Sequence, residues 1–198
     1  MWLQVRTCPD LSFAINLLSR YEANPSPTHW KALQHVLTYI KGTIHYKITY
    51  DPNSPDSLNI SGYSDSDYAG DPDTMRSTSG YVFTMAGGPV TWSSKRQPTT
   101  ASSTTEAEYM ALNRACQQAI YSDNKGSVDL AKNVKGITKA KHIHIKHHYI
   151  CERVNECEVD VIQILTESNV ADILTKPLLW ATHKKFVHAL QLNTATNT

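Results

Sequence analysis

Apolar positions in the first fifty residues recur at helical spacing. In DLSFAINLLSRYEANPSP the residues Phe13, Ile15, Leu17 and Leu18 precede Pro25 and Pro27. A helix is therefore predicted to begin at Asp10 and to stop at the prolines, which lack the N–H that a helix interior needs. A second helix is predicted where Trp30, Leu33, Val36, Leu37 and Ile40 repeat before Gly42, and HYKITY after it reads as a short strand. DPNSPDS, residues 51–57, gathers Pro, Asp, Asn and Ser, the residues of turns, and the boundary between two units is placed there.

Beyond it the period changes from helical to alternating. LNISGYSD, SGYVFTMA and PVTWSS read as three strands, the last two forming a hairpin through Gly87 and Gly88. The pattern then predicts a helix from Thr105 to about Gln117, a strand at AIYSD, helices over 124–133 and 139–156, and a strand at VDVIQIL. SNVADILTK reads as a short helix ending at Pro177, a last helix covers Trp180 to Leu190, and the Thr- and Asn-rich end reads as a disordered tail. Strands first, then alternating helices and strands, imply an α/β mixed sheet flanked by helices and preceded by a small helical segment. The expected organisation is a helical segment at 1–50, a linker at 51–57, the α/β domain at 58–178, and a helix and tail at 179–198.

Composition changes this picture little. With 198 residues, 40% of them hydrophobic and 19% charged, the chain is an ordinary globular one, long enough for one sizeable domain and an appendage. A formal net charge of +1 excludes a broad basic shell, so contact with nucleic acid has to come from local clusters. Cys8, Cys116, Cys151 and Cys157 form no CxxC pair, and Arg6 and Asp10 interrupt the start before any long apolar run. Reduced thiols, no membrane partner and an intracellular location, in a cytoplasmic particle or the nucleus, are expected.

The chemistry resides in acids at element ends. Asp65 stands where the first strand of the second unit runs into SDSDYAGDPD, a usual place for a catalytic group, although turn chemistry explains an Asp there equally well and accounts for Asp67, Asp71 and Asp73. A calcium loop is rejected, because the fifth position of DSDYAGD is Ala69 and the twelfth is Arg76 in place of Glu. Glu108 heads a stripe of Ala111, Leu112, Ala115 and Ala119. A capping box of Thr105 with Glu108 is its bland reading, and Ser103 with Glu106 offers the same cap while leaving Glu108 for function. Asp123 closes the strand AIYSD, where capping the next helix is the commoner role of such a residue taken alone. Asp172 falls in the first turn of SNVADILTK, complementing the helix dipole. Its neighbours Asn169, Thr175 and Lys176 are polar, so it is expected to look out of the core into a cleft.

Taken together, GYSDSDYAGDPDTMRSTSGYVF, WSSKRQPTTASSTTEAEYMAL, YSDNKGSVDLAKN, KHIHIKHHYICE and NVADILTKPL resemble the successive blocks of copia-type retrotransposon ribonuclease H, over about residues 58–178. TCPDLSFAINLLSRY and HWKALQHVLTYIKGT resemble the connection segment that follows the reverse-transcriptase palm in such Pol polyproteins, and polymerase active-site motifs are absent. The resemblance implies a ribonuclease-H-like mixed sheet and endonucleolytic cleavage of the RNA strand of RNA–DNA hybrids. It also implies a catalytic, metal-holding set of Asp65, Glu108, Asp123 and Asp172, with the rest of the Pol polyprotein as a further partner. Two Mg²⁺ (or Mn²⁺) ions would be the cofactor, since paired divalent ions activate a water and stabilise the leaving oxygen in an in-line displacement. An integrase, whose acids would run Asp, Asp, Glu, does not fit an order in which Glu108 comes second.

KHIHIKHHY invites a zinc reading through His144, His147 and His148, but no Cys or further His stands at finger-like spacing. Lys139, Lys141, Lys146 and Arg153 make the segment a basic face suited to phosphates; the family's block carries an acid where this chain has His144. The path from Glu108 to Asp123, with fourteen residues between, is shorter than the family's pattern. Closure would need a turn at Gln117 and Gln118 and a truncated helix. A catalytically impaired remnant that keeps the fold and only binds nucleic acid is therefore the alternative expectation.

Overall fold

The computed structural model describes residues 2–53, 57–115, 119–122, 154 and 160–194. The N-terminal segment opens with a helix that the periodicity does not predict, α1 (Trp2–Arg6). The predicted helix at Asp10 begins as a 3-10 turn, Pro9–Leu11, and continues as α2 (Ser12–Ser19). α3 (Pro27–Gly42) follows. Pro27 opens it, where a missing N–H costs nothing, and the Ser26 hydroxyl accepts from the His29 N–H while His29 Nδ1 accepts from the Ser26 N–H at 3.0 Å. β1 (Tyr46–Ile48) is the predicted strand.

The alternating stretches form an antiparallel meander of β2 (Ile60–Ser66), β3 (Thr78–Met85) and β4 (Gly88–Arg96). Its hairpin turn is Ala86 and Gly87, both at positive φ (50° and 79°), with Gly88 already in β4. Such a turn matches the twist of the strands that it joins. α4 (Thr104–Ala115) leads to β5 (Ala119–Ser122), which runs parallel to β2 with Ser61 opposite Ala119 and Tyr63 opposite Tyr121. Ala119, expected to close the stripe of the helix, is thus a strand residue. β6 (Val161–Gln163) lies parallel beyond β5, giving the order β4-β3-β2-β5-β6. This is the mixed α/β sheet that was expected. The helices predicted over 124–133 and 139–156 lie outside the described residues, Val154 excepted.

SNVADILTK, expected as a short helix, is helical in the tighter 3-10 form over Val170–Leu174, after a first 3-10 turn at Thr166–Ser168. The last helix, α5 (Trp180–Ala189), forms as predicted. The expected disordered tail is corrected at Leu192–Thr194, where β7 pairs antiparallel with β1, Tyr46 opposite Thr194; residues 195–198 lie outside the described residues. Alternation along β3 serves both faces of the large sheet. Phe83 packs with Tyr109, Leu112 and Ala115 of α4 on one side, and Val82 packs with Ile173, Leu174, Phe186 and Leu190 on the other. No helix among the described residues is long and apolar enough to cross a membrane.

Polar contacts fasten the N-terminal segment to this sheet. Asn16 Nδ2 donates to the Ser94 carbonyl at 3.0 Å, the Trp92 indole N–H to the Gln4 carbonyl at 2.6 Å, and Arg20 Nη2 to Thr78 Oγ1 at 3.1 Å. Behind them, the Tyr39 hydroxyl donates to Asp10 Oδ2 at 2.6 Å. Burial pushes the Asp10 carboxyl up from its ordinary value, against the opposing effect of that bond.

Candidate active site

Asp65 occupies the next-to-last position of β2 and is 1% exposed. Directly opposite it in register is Gly80 of β3. A Cβ at Gly80 would lie 2.7 Å from Leu174 Cβ and from Thr175 Cγ2, and 3.3 Å from the Ala171 carbonyl. The mid-strand glycine is what lets the segment Val170–Leu174 seat on the sheet beside Asp65. Asn169 fixes that segment's start. Fully buried, it accepts from the Ala171 N–H at 3.2 Å and donates through Nδ2 to the Ser64 carbonyl at 2.9 Å, one residue before Asp65.

These contacts bring two of the expected acids together. Asp65 Oδ2 accepts from the Thr175 hydroxyl, and the Lys176 ammonium lies 3.6 Å from Asp65 Oδ2 and 3.1 Å from Asp172 Oδ2. Asp172 is 6% exposed, with Asn169 and Thr175 both buried. The expectation that it looks out of the core is corrected. Three residues per turn, in place of 3.6, line up positions 169, 172 and 175 on one side, and here that side faces the sheet.

Glu108 lies in the buried stretch of α4 that starts at Ala107 and is 7% exposed. The helix is capped in the alternative register: Ser103 Oγ accepts from the Glu106 N–H at 3.1 Å, and Glu106 Oε2 accepts from the Ser102 N–H at 2.7 Å. α4 packs on β2 and β3, on the face of the sheet that carries Phe83, whereas Asp65, opposite Gly80, faces the Val170–Leu174 side. Among the described residues no three His, Cys, Asp or Glu side chains form a group that could hold a metal ion. Asp123, and the basic residues Lys139, Lys141, Lys146 and Arg153, lie outside the described residues.

The acidic loop after β2 does more than turn the chain. Asp71 Oδ1 accepts from the Asp73 N–H at 3.1 Å, as turn chemistry predicts. Its other oxygen takes the Arg96 guanidinium at 2.6 Å and the Thr74 hydroxyl at 2.8 Å, with Arg20, the residue after α2, at 3.5 Å. Asp67 accepts from the Thr78 N–H, and burial pushes its carboxyl up despite that bond. Sequence reasoning missed Gly80, Asn169, Thr175 and Lys176 as parts of the site. For Gly80 the signal was a glycine inside an alternating strand, which marks a close approach of another segment; for Asn169, Thr175 and Lys176 it was their polarity at helical offsets from Asp172.

No family model matches the chain. It is 37% identical over 194 residues, 89% of its own length, to the retrovirus-related Pol polyprotein from transposon TNT 1-94 of Nicotiana tabacum. It is 36% identical over 191 residues, 87% of its length, to the Pol polyprotein from transposon RE2 of Arabidopsis thaliana. The chain spans 14% and 13% of the lengths of those two relatives. It is also 47% identical over 121 residues to secreted RxLR effector protein 161 of Plasmopara viticola, covering 84% of that protein and 61% of itself. Among solved structures, LC11-RNase H1, isolated from compost, superposes on 59% of this chain and 92% of its own, with a TM-score of 0.48 and 23% identity. By its kinship along most of its length, the chain belongs to the retrovirus-related Pol polyproteins of copia-type transposons.

Proposed function

We propose that the chain is a metal-dependent endonuclease that cuts the RNA strand of RNA–DNA hybrids. The observation that carries this reading is that Asp65 and Asp172, on segments far apart in sequence, are both buried and converge on one cation, the Lys176 ammonium. Burying carboxylates is costly unless a cation or donors compensate them, so a fold that gathers two of them is organised around positive charge. Their hard oxygen donors suit Mg²⁺ or Mn²⁺. Asp65 and Asp172 would hold the two ions, with Glu108 and Asp123 completing the set on the family's pattern. When bound, such ions supply an activated water and stabilise the leaving 3′ oxygen.

The chain's own residues contribute orientation. The Thr175 hydroxyl directs one oxygen of Asp65, Asn169 ties the start of the segment carrying Asp172 to β2, and Gly80 allows the two to approach. Lys139, Lys141, Lys146 and Arg153 are proposed to meet the phosphates of the hybrid, whose shape and 2′-hydroxyls would identify the RNA strand. The remainder of the Pol polyprotein is the proposed covalent partner.

Replacing Asp65 by Asn tests the reading. Mg²⁺-dependent cleavage of a labelled hybrid should be lost while the fold, followed by circular dichroism, and hybrid binding persist; undiminished cleavage removes Asp65 from the site. One observation favours a second reading, an impaired remnant that only binds: no three-residue acidic group for a metal forms among the described residues. Tight hybrid binding by the unaltered chain, with no cleavage at any Mg²⁺ or Mn²⁺ concentration, would establish that alternative.

A further inference from the structure

Two guanidinium groups meet one carboxylate at the mouth of the acidic loop. Asp71 Oδ2 lies 2.6 Å from Arg96 Nη1 and 3.5 Å from Arg20 Nη1. The two arginines are held differently. The Arg20 side chain, 11% exposed, also donates to Asn16 Oδ1 and to Thr78 Oγ1, both at 3.1 Å. That of Arg96 is 35% exposed, and Asp71 is its one bonded partner among the described residues. A guanidinium has five N–H donors, so most of those on Arg96 are left for solvent or a ligand. The neighbouring acids do not claim them: Asp67 accepts from the Thr78 N–H, and Asp73 from the Tyr21 hydroxyl at 3.3 Å. Nor does Asp71 depend on Arg96 alone, since it accepts from the Thr74 hydroxyl and the Asp73 N–H and stands beside Arg20.

Register places Arg96 near the acid of β2. Asp65 is opposite Gly80 and Gly80 opposite Ser94, while two residues further along Thr78 is opposite Arg96. Opposite residues of antiparallel strands share a face, as do residues two apart, so Arg96 stands on the face of Asp65. Two strand spacings and a two-residue step put their Cα atoms about 12 Å apart. Each strand of a B-form duplex presents a phosphate about every 3.4 Å of axis, so a backbone that passes Asp65 brings another phosphate within reach of Arg96. We propose that Arg96 is a phosphate-binding residue for the nucleic acid, presented by the carboxylate of Asp71 and additional to the basic residues of 139–153. This rests on the hybrid-binding reading above. A guanidinium bonded to a carboxylate along one edge keeps its other edge for a phosphate, and two arginines over one aspartate leave positive charge in surplus. In a chain with a formal net charge of +1, phosphate contacts have to come from such local surpluses.

The test uses the full chain and a fluorescently labelled RNA–DNA hybrid, with affinity measured by anisotropy at several salt concentrations. Arg96→Gln removes the charge, whereas Arg96→Lys keeps it. Arg96→Gln should bind several-fold more weakly, and the slope of log affinity against log salt should shrink by about 0.9, the share of one phosphate contact. Arg96→Lys should retain the wild-type slope, because an ammonium also meets a phosphate as a point charge. An equal loss of slope in both variants overturns the proposal. So does a folded Arg96→Gln with the wild-type slope, even if its thermal stability drops, because a residue that merely clasps Asp71 would behave so. Should Arg96→Gln not fold, modification of the unaltered chain by phenylglyoxal, located by peptide mass spectrometry, decides. Saturating hybrid should slow the modification of Arg96 several-fold, and an unchanged rate overturns the proposal. If the unaltered chain does not bind hybrid, or binds it without salt dependence, the hybrid-binding reading and this proposal fall together. Salt-dependent binding with an unchanged slope in Arg96→Gln sinks this one alone.

Discussion

Asp71 illustrates how one side chain can do more than its neighbours in sequence announce. In a loop of aspartates it looks like a turn residue, yet it is buried and receives Arg96, Thr74 and the Asp73 N–H, with Arg20 close by. Burial alone would raise its pKa; the Arg96 bond and the others outweigh that and hold the carboxyl down at about 2. A depressed folded-state pKa contributes stability above the unfolded value and loses it as the pH falls through the folded value. The contribution of Asp71 should therefore be intact above about pH 4 and disappear toward about pH 2. Asp71→Asn should lower stability at pH 7 by on the order of 1–3 kcal/mol, the cost of leaving buried partners unmatched. The gap from wild type should narrow between pH 4 and pH 2. Urea unfolding across that range measures it, and a gap independent of pH would show that the charge of Asp71 is not what matters.

Elements show the same contrast in the connection from α4 to β5. Counted from Glu108, the return to the sheet looks too short for a crossover. The structure closes it: α4 ends at Ala115, β5 begins at Ala119, and β5 pairs in parallel with both β2 and β6. The length that matters runs from the end of β4 at Arg96, which leaves more than the dozen residues that such a crossover needs. Adding a family-length insertion within 116–118 should accordingly change hybrid cleavage by less than about threefold, well under the effect of losing a metal ligand. A gain of two orders of magnitude would instead show that the short connection impairs the site.

For the whole molecule, distant segments meet. β1, at Tyr46–Ile48, pairs with β7, at Leu192–Thr194, and Arg20, just after α2, reaches Thr78 and Asp71 at the mouth of the acidic loop. The helical segment is thereby held on the same sheet that carries Asp65. With a formal net charge of only +1, overall attraction for nucleic acid is slight, and binding must depend on a local basic face. Changing Lys141 and Lys146 together to Ala should weaken hybrid binding and reduce the slope of log affinity against log salt by about 1–2, from fewer released counterions. Affinities measured at several salt concentrations would show it, and an unchanged slope would remove the two lysines from the phosphate contacts.

Sequence by itself determined the run of helices and strands, the three-stranded meander, and the placing of Asp65, Glu108 and Asp172 at or near element ends. Each of these follows from local periodicity, capping and turn chemistry, which act over a few neighbouring residues. Tertiary structure alone decided that Asp172 is buried, that Lys176 joins it to Asp65, that Gly80 makes room for both, that Gln97 fastens β2 to α4, and that Leu192–Thr194 is a strand. In every one of these cases the partner lies in a distant segment. A period of 3.6 or 2 says which face of an element is apolar, whereas the identity of the atoms across the gap depends on how the whole chain packs.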